Sequence, residues 1–103
     1  IILLENSIYS ILSPEGIASI LYKDESKSKE AAEKMKITSR ELKKLGIIDS
    51  IIDEPEGGAQ EDFETVCKNL KDIVLKDINR LSKKTREELV EQRYEKYRKI
   101  GGI

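Results

Sequence analysis

The chain has 103 residues, of which 38% are hydrophobic and 38% are charged, and its net charge is −1. This length corresponds to about one small domain with a modest interior. Because acids and bases nearly balance, no broad positive field exists to attract nucleic acid or an acidic membrane surface. The longest purely apolar run, residues 1–4, is far shorter than the roughly 20 residues of a membrane span.

The single cysteine, Cys67, cannot form an internal disulfide, which fits a reducing compartment. Its position beside an apolar helical stripe predicts a buried or half-buried packing residue. No secretory signal is predicted, because the start has no basic stretch followed by an apolar segment and a cleavage site. Apolar residues begin at Ile1 without a preceding cap or turn, so we expect a chain cut from inside a larger fold.

The first predicted element is a strand at residues 7–12. Ile8, Ser10 and Leu12 would face one side of it, and apolar residues also occur on the other side. Apolar residues on both faces are typical of a sheet that is covered on both sides. The sequence therefore predicts an α/β fold.

A helix is predicted to begin directly after this strand. Ser13 occupies an N-cap position, Pro14 the first helical position and Glu15 the first turn. A helix start presents unpaired backbone amides with a partial positive charge, and Gly16 would let a ligand approach them closely. Ser13, Pro14, Glu15 and Gly16 are thus candidates for holding an anion or a developing oxyanion, and the alternative is a capped helix without further function.

Helical spacing and caps predict the elements that follow. The expected inward-facing residues of the first three helices are Ile17, Ile20 and Leu21, then Ala31, Ala32 and Met35, then Leu42 and Leu45. Thr38 and Glu41 have the spacing of a capping box at the start of the third helix, which Gly46 should end. The β-branched residues 47–52 predict a second strand.

The second half of the chain is predicted to contain a linker and two long helices. Pro55 and the Gly57–Gly58 pair mark residues 53–61 as the linker. Asp62 can cap a long helix, and Thr85 with Glu88 forms another capping box. The apolar stripes of these helices are Phe63, Val66, Leu70, Ile73, Val74, Ile78 and Leu81, and then Leu89, Val90, Tyr94 and Tyr97.

Few residues point to side-chain catalysis. The chain contains no histidine, which excludes a Ser-His-Asp triad, a Cys-His pair and histidine-based metal sites within it. The acids around the linker are expected to serve solubility and the helix dipole, so we predict no metal site. Gly57 and Gly58 are kept as loop candidates, although a turn fits them better than a phosphate loop.

Four stretches, in order, resemble one family over nearly the whole chain: LLENSIYSILSPEGIASILYKD, EAAEKMKIT, ELKKLGIIDSIIDEPEGGA and EELVEQRYEKYRKIG. They are similar to the C-terminal third of the carboxyltransferase α subunit family of bacterial-type acetyl-CoA carboxylase. The resemblance implies an α/β crotonase-like spiral, in which helices flank stacked strands. Residues 1–55 would belong to the C-terminal part of that core, and residues 56–103 would form a linker and helical extension of the same domain.

The resemblance also implies a reaction and partners. A carboxyl group would move from carboxybiotin to acetyl-CoA, giving malonyl-CoA for fatty acid synthesis. No cofactor would be covalently bound to this chain, because biotin would arrive on a separate biotin carboxyl carrier protein. A carboxyltransferase β subunit would complete a hetero-oligomer in an ATP-binding enzyme system of the cytoplasm, or of the plastid stroma in a plastid-type enzyme.

For the site, the resemblance implies that Ser13–Gly16 borders the active-site pocket and that Glu15 has a positioning role instead of acting as a general base. Three places depart from the family. Ile17 and Tyr22 stand where Cys and Trp are common, and they keep an apolar or aromatic character. Gln60–Glu61 replaces His-Arg, which weakens the expectation of an anion contact in the glycine loop.

Two alternatives remain open. The chain could be part of another crotonase-type acyl-CoA hydratase or isomerase, which would need a positioned pair of acids. It could instead be a non-catalytic helical module that binds a partner through its stripes at Phe63–Leu81 and Leu89–Tyr97. The glycine-rich loop that forms the family's principal oxyanion hole is expected before residue 1, so we expect the isolated segment to be inactive.

Overall fold

A computed structural model of the chain describes residues 1–102, which form two compact units that divide between Asp53 and Glu54. The first unit contains strands β1 (Ile2–Leu4) and β2 (Ser50–Ile52) and helices α1 (Pro14–Tyr22), α2 (Ser28–Met35) and α3 (Ser39–Lys44). The second unit contains α4 (Phe63–Ser82) and α5 (Arg86–Lys99). Helices with a small sheet confirm the α/β class, whereas the assignment of residues 1–55 and 56–103 to one domain stays a prediction.

The sheet of the first unit joins two segments that lie far apart in the sequence. β1 and β2 pair in parallel, with Ile2 opposite Ser50 and Leu4 opposite Ile52. The Glu5 N–H extends this ladder by donating to the carbonyl oxygen of Ile52 at 2.8 Å. The three helices α1–α3 lie in the connection between the two strands, as a parallel pair requires.

The predicted strand at residues 7–12 is wrong. Only Ile8 in this segment forms a bridge, antiparallel to Thr38, and residues 11 and 12 bend toward α1. The Ser10 hydroxyl donates to the carbonyl oxygen of Leu12 at 2.7 Å, which is a local contact that competes with strand pairing. The other predicted strand is shorter than expected, because regular pairing covers Ser50–Ile52 but not residues 47–49.

Helices α1 and α2 pack closely on each other through small residues. Ala18 of α1 and Ala31 of α2 are both 0% exposed. Short side chains let the two helix backbones approach, so alanines take the inward positions. The prediction was right for Ala31 but wrong for Ile20 and Leu21, which are exposed.

Helix α3 begins and ends as the sequence predicts. The Thr38 side chain accepts from the Glu41 N–H and the Glu41 carboxylate accepts from Thr38, so the capping box is complete. Gly46 follows the helix with φ +75°, and the Ile47 N–H donates to the carbonyl oxygen of Leu42 at 2.9 Å. This 6→1 bond with a left-handed glycine is the Schellman termination.

Leu42 of α3 belongs to the hydrophobic core of the first unit. It is 5% exposed and forms a cluster with Leu3 of β1 and Ile48, whereas the predicted inward residue Leu45 is 60% exposed. Ile1, Ile47 and Ile51 pack around the same cluster. Residues from both ends of the unit therefore share one core.

The second unit begins with a tight turn and a short 3₁₀ helix, Ala59–Asp62. The Asp62 carboxylate accepts from the Thr65 N–H at 3.2 Å and caps α4, as predicted. Val66 is the buried residue of α4, at 6% exposed, whereas most of the predicted inward stripe, including Leu70 and Ile78, is exposed. The prediction that Cys67 is buried or half-buried is wrong, because its side chain is exposed.

Helix α5 follows a complete capping box between Thr85 and Glu88, as predicted. None of its residues is buried, and Val90, Tyr94 and Tyr97 are exposed. Within residues 1–102, no helix combines the length and the apolar character that crossing a membrane requires.

Candidate functional site

The start of α1 offers fewer free amides than an uncapped helix. The Gly16 N–H donates to the Ser13 hydroxyl at 3.1 Å, and the Ile17 N–H donates to the Ser13 carbonyl oxygen at 3.0 Å. Pro14 has no N–H. The Glu15 N–H is therefore the amide of this first turn that is left to meet a ligand.

Gly16 lies where a Cβ would make ordinary van der Waals contacts, and its φ is not positive. A Cβ added there would lie 3.4 Å from the Ser13 hydroxyl oxygen and 3.7 Å from the Leu12 Cβ, which are ordinary contact distances. The fold therefore accommodates a Cβ at this position. The atoms nearest to that Cβ belong to Ser13 and Leu12, the two residues that precede α1.

An apolar groove of about 410 Å³ lies beside this helix start in the first unit. Its lining comes from both sides of Ser13–Gly16 in sequence and from α2 and α3: Tyr9, Ser10, Ile11, Ile17, Leu21, Lys34, Met35, Lys36, Ile37, Leu42, Leu45 and Ile47. The exposed apolar residues Leu21 and Leu45 face this groove. Sequence reasoning missed it, because its walls come from four separate segments.

Two lysines give the groove its positive charge. Lys36 lies 3.9 Å from the Glu41 carboxylate, so part of its charge is balanced. The Lys34 ammonium lies 5.2 Å from the centre of the Tyr22 ring, and interaction with the Tyr22 hydroxyl raises the pKa of Lys34. Among the described residues, no group lies at both the distance and the angle of a hydrogen bond to the buried Tyr22 hydroxyl.

The glycine loop in the second unit is filled by its own side chains. Gly57 and Gly58 have φ of +91° and +109°, which favours glycine at both positions. The Gln60 side-chain amide donates to the Gly57 carbonyl oxygen at 2.6 Å, and a Cβ on Gly58 would lie 2.6 Å from the Gln60 Oε1. The pair forms a closed turn, in a different unit from Ser13–Gly16.

Two acids in and after the linker, Glu54 and Asp62, have structural partners. The Glu54 carboxylate accepts from the Ala59 N–H at 3.2 Å, and Asp62 caps α4. No group of three or more metal-ligating residues occurs in the part of the chain that the structure describes. Glu54 and Asp62 act as local hydrogen-bond acceptors around the turn and at the start of α4.

An ion pair that the sequence did not predict lies in the first unit. The Arg40 guanidinium lies 2.7 Å from the Glu5 carboxylate, and the buried Ser39 hydroxyl donates to the Glu5 carbonyl oxygen at 2.6 Å. More than 30 residues separate these partners in sequence, so no local pattern could indicate them. Together they tie the start of α3 to the end of β1.

The description of the matching family model is "Acetyl co-enzyme A carboxylase carboxyltransferase-like", and the match covers residues 1–101. The chain is similar to the acetyl-coenzyme A carboxylase carboxyl transferase subunit alpha of Clostridium acetobutylicum, with 56% identity over 99 residues. That alignment covers 96% of this chain and 36% of the relative.

Two further relatives extend the comparison. The subunit alpha of Fusobacterium nucleatum is 52% identical over 101 residues, which cover 98% of this chain and 32% of the relative. A protein of Natranaerobius thermophilus named "subunits beta/alpha" is 52% identical over 99 residues, covering 96% of this chain and 16% of the relative. The chain thus spans about a third of the length of the subunit alpha relatives that it matches.

Proposed function

This chain belongs to the acetyl co-enzyme A carboxylase carboxyltransferase-like family, and from that premise we propose that it forms part of a carboxyltransferase α subunit. The whole protein would transfer a carboxyl group from carboxybiotin to acetyl-CoA and release malonyl-CoA. The observation that carries this proposal is the family match over residues 1–101, together with subunit alpha relatives that are about half identical. A crotonase-like fold for the whole protein is part of the proposal.

The chain would contribute one wall of the reaction site through its main chain. Carboxyl transfer passes through enolate and carboxylate charge, which backbone amides at a helix start can stabilise without histidine. Ser13 and Pro14 set the geometry of the α1 start, Gly16 keeps the approach open, and the Glu15 N–H would donate to the anion. The Glu15 carboxylate would have a positioning role.

The Gly57–Gly58 loop has a structural role in this proposal. Its φ values and the Gln60 side chain that fills it support a structural turn. The neutral Gln60 and the acidic Glu61 give the loop no basic group with which to hold an anion. We therefore assign the anion contact to the start of α1 and keep Gly57 and Gly58 as supporting loop residues.

The proposed partners are a carboxyltransferase β subunit and a biotin carboxyl carrier protein. A relative named for subunits beta and alpha in one chain supports the first of them. Carboxybiotin and acetyl-CoA would be substrates, with no cofactor bound covalently to this chain. The role of ATP in the wider enzyme and a cytoplasmic or plastid location stay predictions.

Reconstitution tests the function. The full-length protein that contains this chain would be combined with its β subunit, carboxybiotin carrier and acetyl-CoA, and malonyl-CoA would be measured. We expect malonyl-CoA only when both subunits are present. A complex that forms but yields no malonyl-CoA, or that hydrates an enoyl-CoA instead, would contradict the proposal.

A further inference from the structure

Residues 5–9, here called the strap, lie along the segment that joins α2 to α3 in the first unit. Ile8 forms an antiparallel bridge with Thr38, and the Tyr9 N–H donates to the carbonyl oxygen of Ile37 at 3.1 Å. Both contacts join backbone groups that are distant in sequence. The end of the strap that leads toward α1 is therefore fixed by the residues that follow α2.

The strap begins at Glu5, whose backbone and side chain are both bonded to distant residues. Its N–H donates to the carbonyl oxygen of Ile52 at 2.8 Å, and its carbonyl oxygen accepts from the buried Ser39 hydroxyl at 2.6 Å. Its half-buried carboxylate lies 2.7 Å from the Arg40 guanidinium. All of these partners belong to the first unit. Glu5 thus joins the end of β2 and the start of α3 to the beginning of the strap.

Residues 10–12 connect the strap to the Ser13 cap of α1. The Ser10 hydroxyl donates to the carbonyl oxygen of Leu12 at 2.7 Å and accepts from the Leu12 N–H at 3.3 Å. These bonds close the connection into a compact turn, which leaves it little conformational freedom with which to absorb a displacement. The direction of the Glu15 N–H in the first turn of α1 therefore depends on where the strap is held.

The body of α1 is supported by the same stretch of chain as the strap. Helix α1 packs on α2, with Ala18 and Ala31 both fully buried. Helix α2 then leads directly into the segment that holds the strap. Loss of the strap contacts would release the first turn of α1 while the body of the helix stays packed. The orientation of the helix start and the stability of the helix are therefore separable.

We propose that Glu5 is a positioning residue for carboxyl transfer, because it fastens the strap to the start of α3 and the strap directs the Glu15 N–H at the anion. This inference rests on the proposed function and adds to it a residue that does not itself touch the reacting atoms. A misplacement of about 1 Å that originates far from the chemistry can lower a rate by about 100-fold. Glu5 would therefore act on kcat and not on the binding of either substrate.

Removal of the ion pair from the full-length protein, assembled with its β subunit, tests this role. Glu5→Gln keeps the shape of the side chain and removes its charge, and Arg40→Gln removes the same pair from the other side. We expect each variant to lower kcat for malonyl-CoA formation about fivefold, with unchanged KM for acetyl-CoA and for the carboxybiotin carrier. Arg40→Lys keeps the charge and should retain most of kcat. The control is Arg80→Gln, which breaks an ion pair with Asp77 on α4 and should leave kcat unchanged.

A double-mutant cycle determines whether Glu5 acts through the start of α1. Because Gly16→Val is expected to lower kcat by disturbing that start, Glu5→Gln should cause little further loss in the Gly16→Val protein.

The outcomes separate this inference from the proposed function. Fully additive losses in the cycle, an unchanged kcat in Glu5→Gln and Arg40→Gln, or a loss confined to variants that no longer assemble would overturn the role of Glu5. Each of these results leaves the proposed function in place, because the unmodified complex still forms malonyl-CoA. An unmodified complex that forms no malonyl-CoA would overturn both.

Discussion

The two units of this chain differ in what holds their helices in place. In the first unit, buried residues come from strands and helices alike: Leu3, Ala18, Ala31, Ser39, Leu42, Ile48 and Ile52. Among the described residues of the second unit, Val66 alone is buried to the same degree. Helices with similar caps thus occur in two settings, one supported by contacts distant in sequence and one supported mainly by local signals.

The difference shows which interactions make a helix and which make a core. Thr38 in the first unit and Thr85 in the second form the same capping box. Only the helix after Thr38 contributes a residue, Leu42, to a buried cluster. Local caps therefore suffice to define a helix start, whereas burial depends on what the rest of the fold brings to it.

The largest effect that would sharpen this comparison is expected at Leu42. Leu42→Ala removes a side chain from the core of the first unit and should lower the free energy of unfolding by about 2–5 kcal/mol. Leu45→Ala, three residues later and exposed, should cost less than about 1 kcal/mol. Urea denaturation measures both, and equal losses would show that Leu42 does not belong to a packed core.

Removing a cap should affect the two units differently. Thr85→Ala and Thr38→Ala each lose a side-chain acceptor worth about 1 kcal/mol. Since α5 has no buried residue to retain it, we expect its first turn to lose amide protection, whereas α3 should keep its fold through Leu42. Hydrogen exchange measures amide protection in each helix separately. A larger loss of amide protection in α3 than in α5 would contradict this prediction.

The end of α3 offers a test of backbone strain alone. Gly46 has φ +75°, and a Cβ there would meet nothing within 4 Å. Gly46→Ala should therefore cost about 1 kcal/mol through the left-handed conformation, without a steric clash. Lys44→Ala, at an exposed helical position, is the control and should be nearly neutral. A Gly46→Ala variant with an unchanged free energy of unfolding would mean that the Schellman termination contributes little to the stability of the first unit.

The smallest effect concerns a local contact between Asp24 and Ser26. Hydrogen bonds from the Ser26 hydroxyl and backbone hold the pKa of Asp24 below its ordinary value of 3.8. Because the pKa is lowered, the contact between Asp24 and Ser26 stabilises the folded chain at pH values above the ordinary pKa of the carboxyl group. This stabilisation is lost as the pH falls through the pKa that Asp24 has in the folded chain. Ser26→Ala should raise the pKa of Asp24 in an NMR titration, while Ser19→Ala should not change it.

Sequence reasoning succeeded where the signal was local. Ser13, Thr38, Asp62 and Thr85 all cap the helices that they were predicted to cap, because a cap involves residues two or three positions apart. Gly46 ends α3 for a similar reason, since its left-handed conformation follows from the residue itself. These features place the start of α1, and with it the candidate site.

Prediction failed where distant partners decide the outcome. Residues 7–12 would place apolar side chains on both faces of a strand, but in this segment Ile8 alone finds a bridge partner. The apolar start of the chain becomes β1 instead, through pairing with β2. Cys67, Leu70 and Ile78 lie on or beside the apolar stripe of α4, yet all three are exposed. An apolar stripe indicates which face of a helix is suited to packing, but it does not indicate which element packs against that face. The groove beside α1 was missed for the same reason.

The most direct test of the central claim compares two substitutions on α1 in the full-length protein assembled with its β subunit. Gly16→Val adds a β-branched side chain next to Glu15, whose N–H we propose as the donor, and Ser19→Val makes the same kind of change at an exposed position of the same helix. If main-chain donation at the start of α1 supports carboxyl transfer, Gly16→Val should lower kcat for malonyl-CoA formation at least about tenfold, with unchanged assembly and thermal stability, and Ser19→Val should retain kcat. Equal kcat values for Gly16→Val and the unmodified protein would contradict the claim.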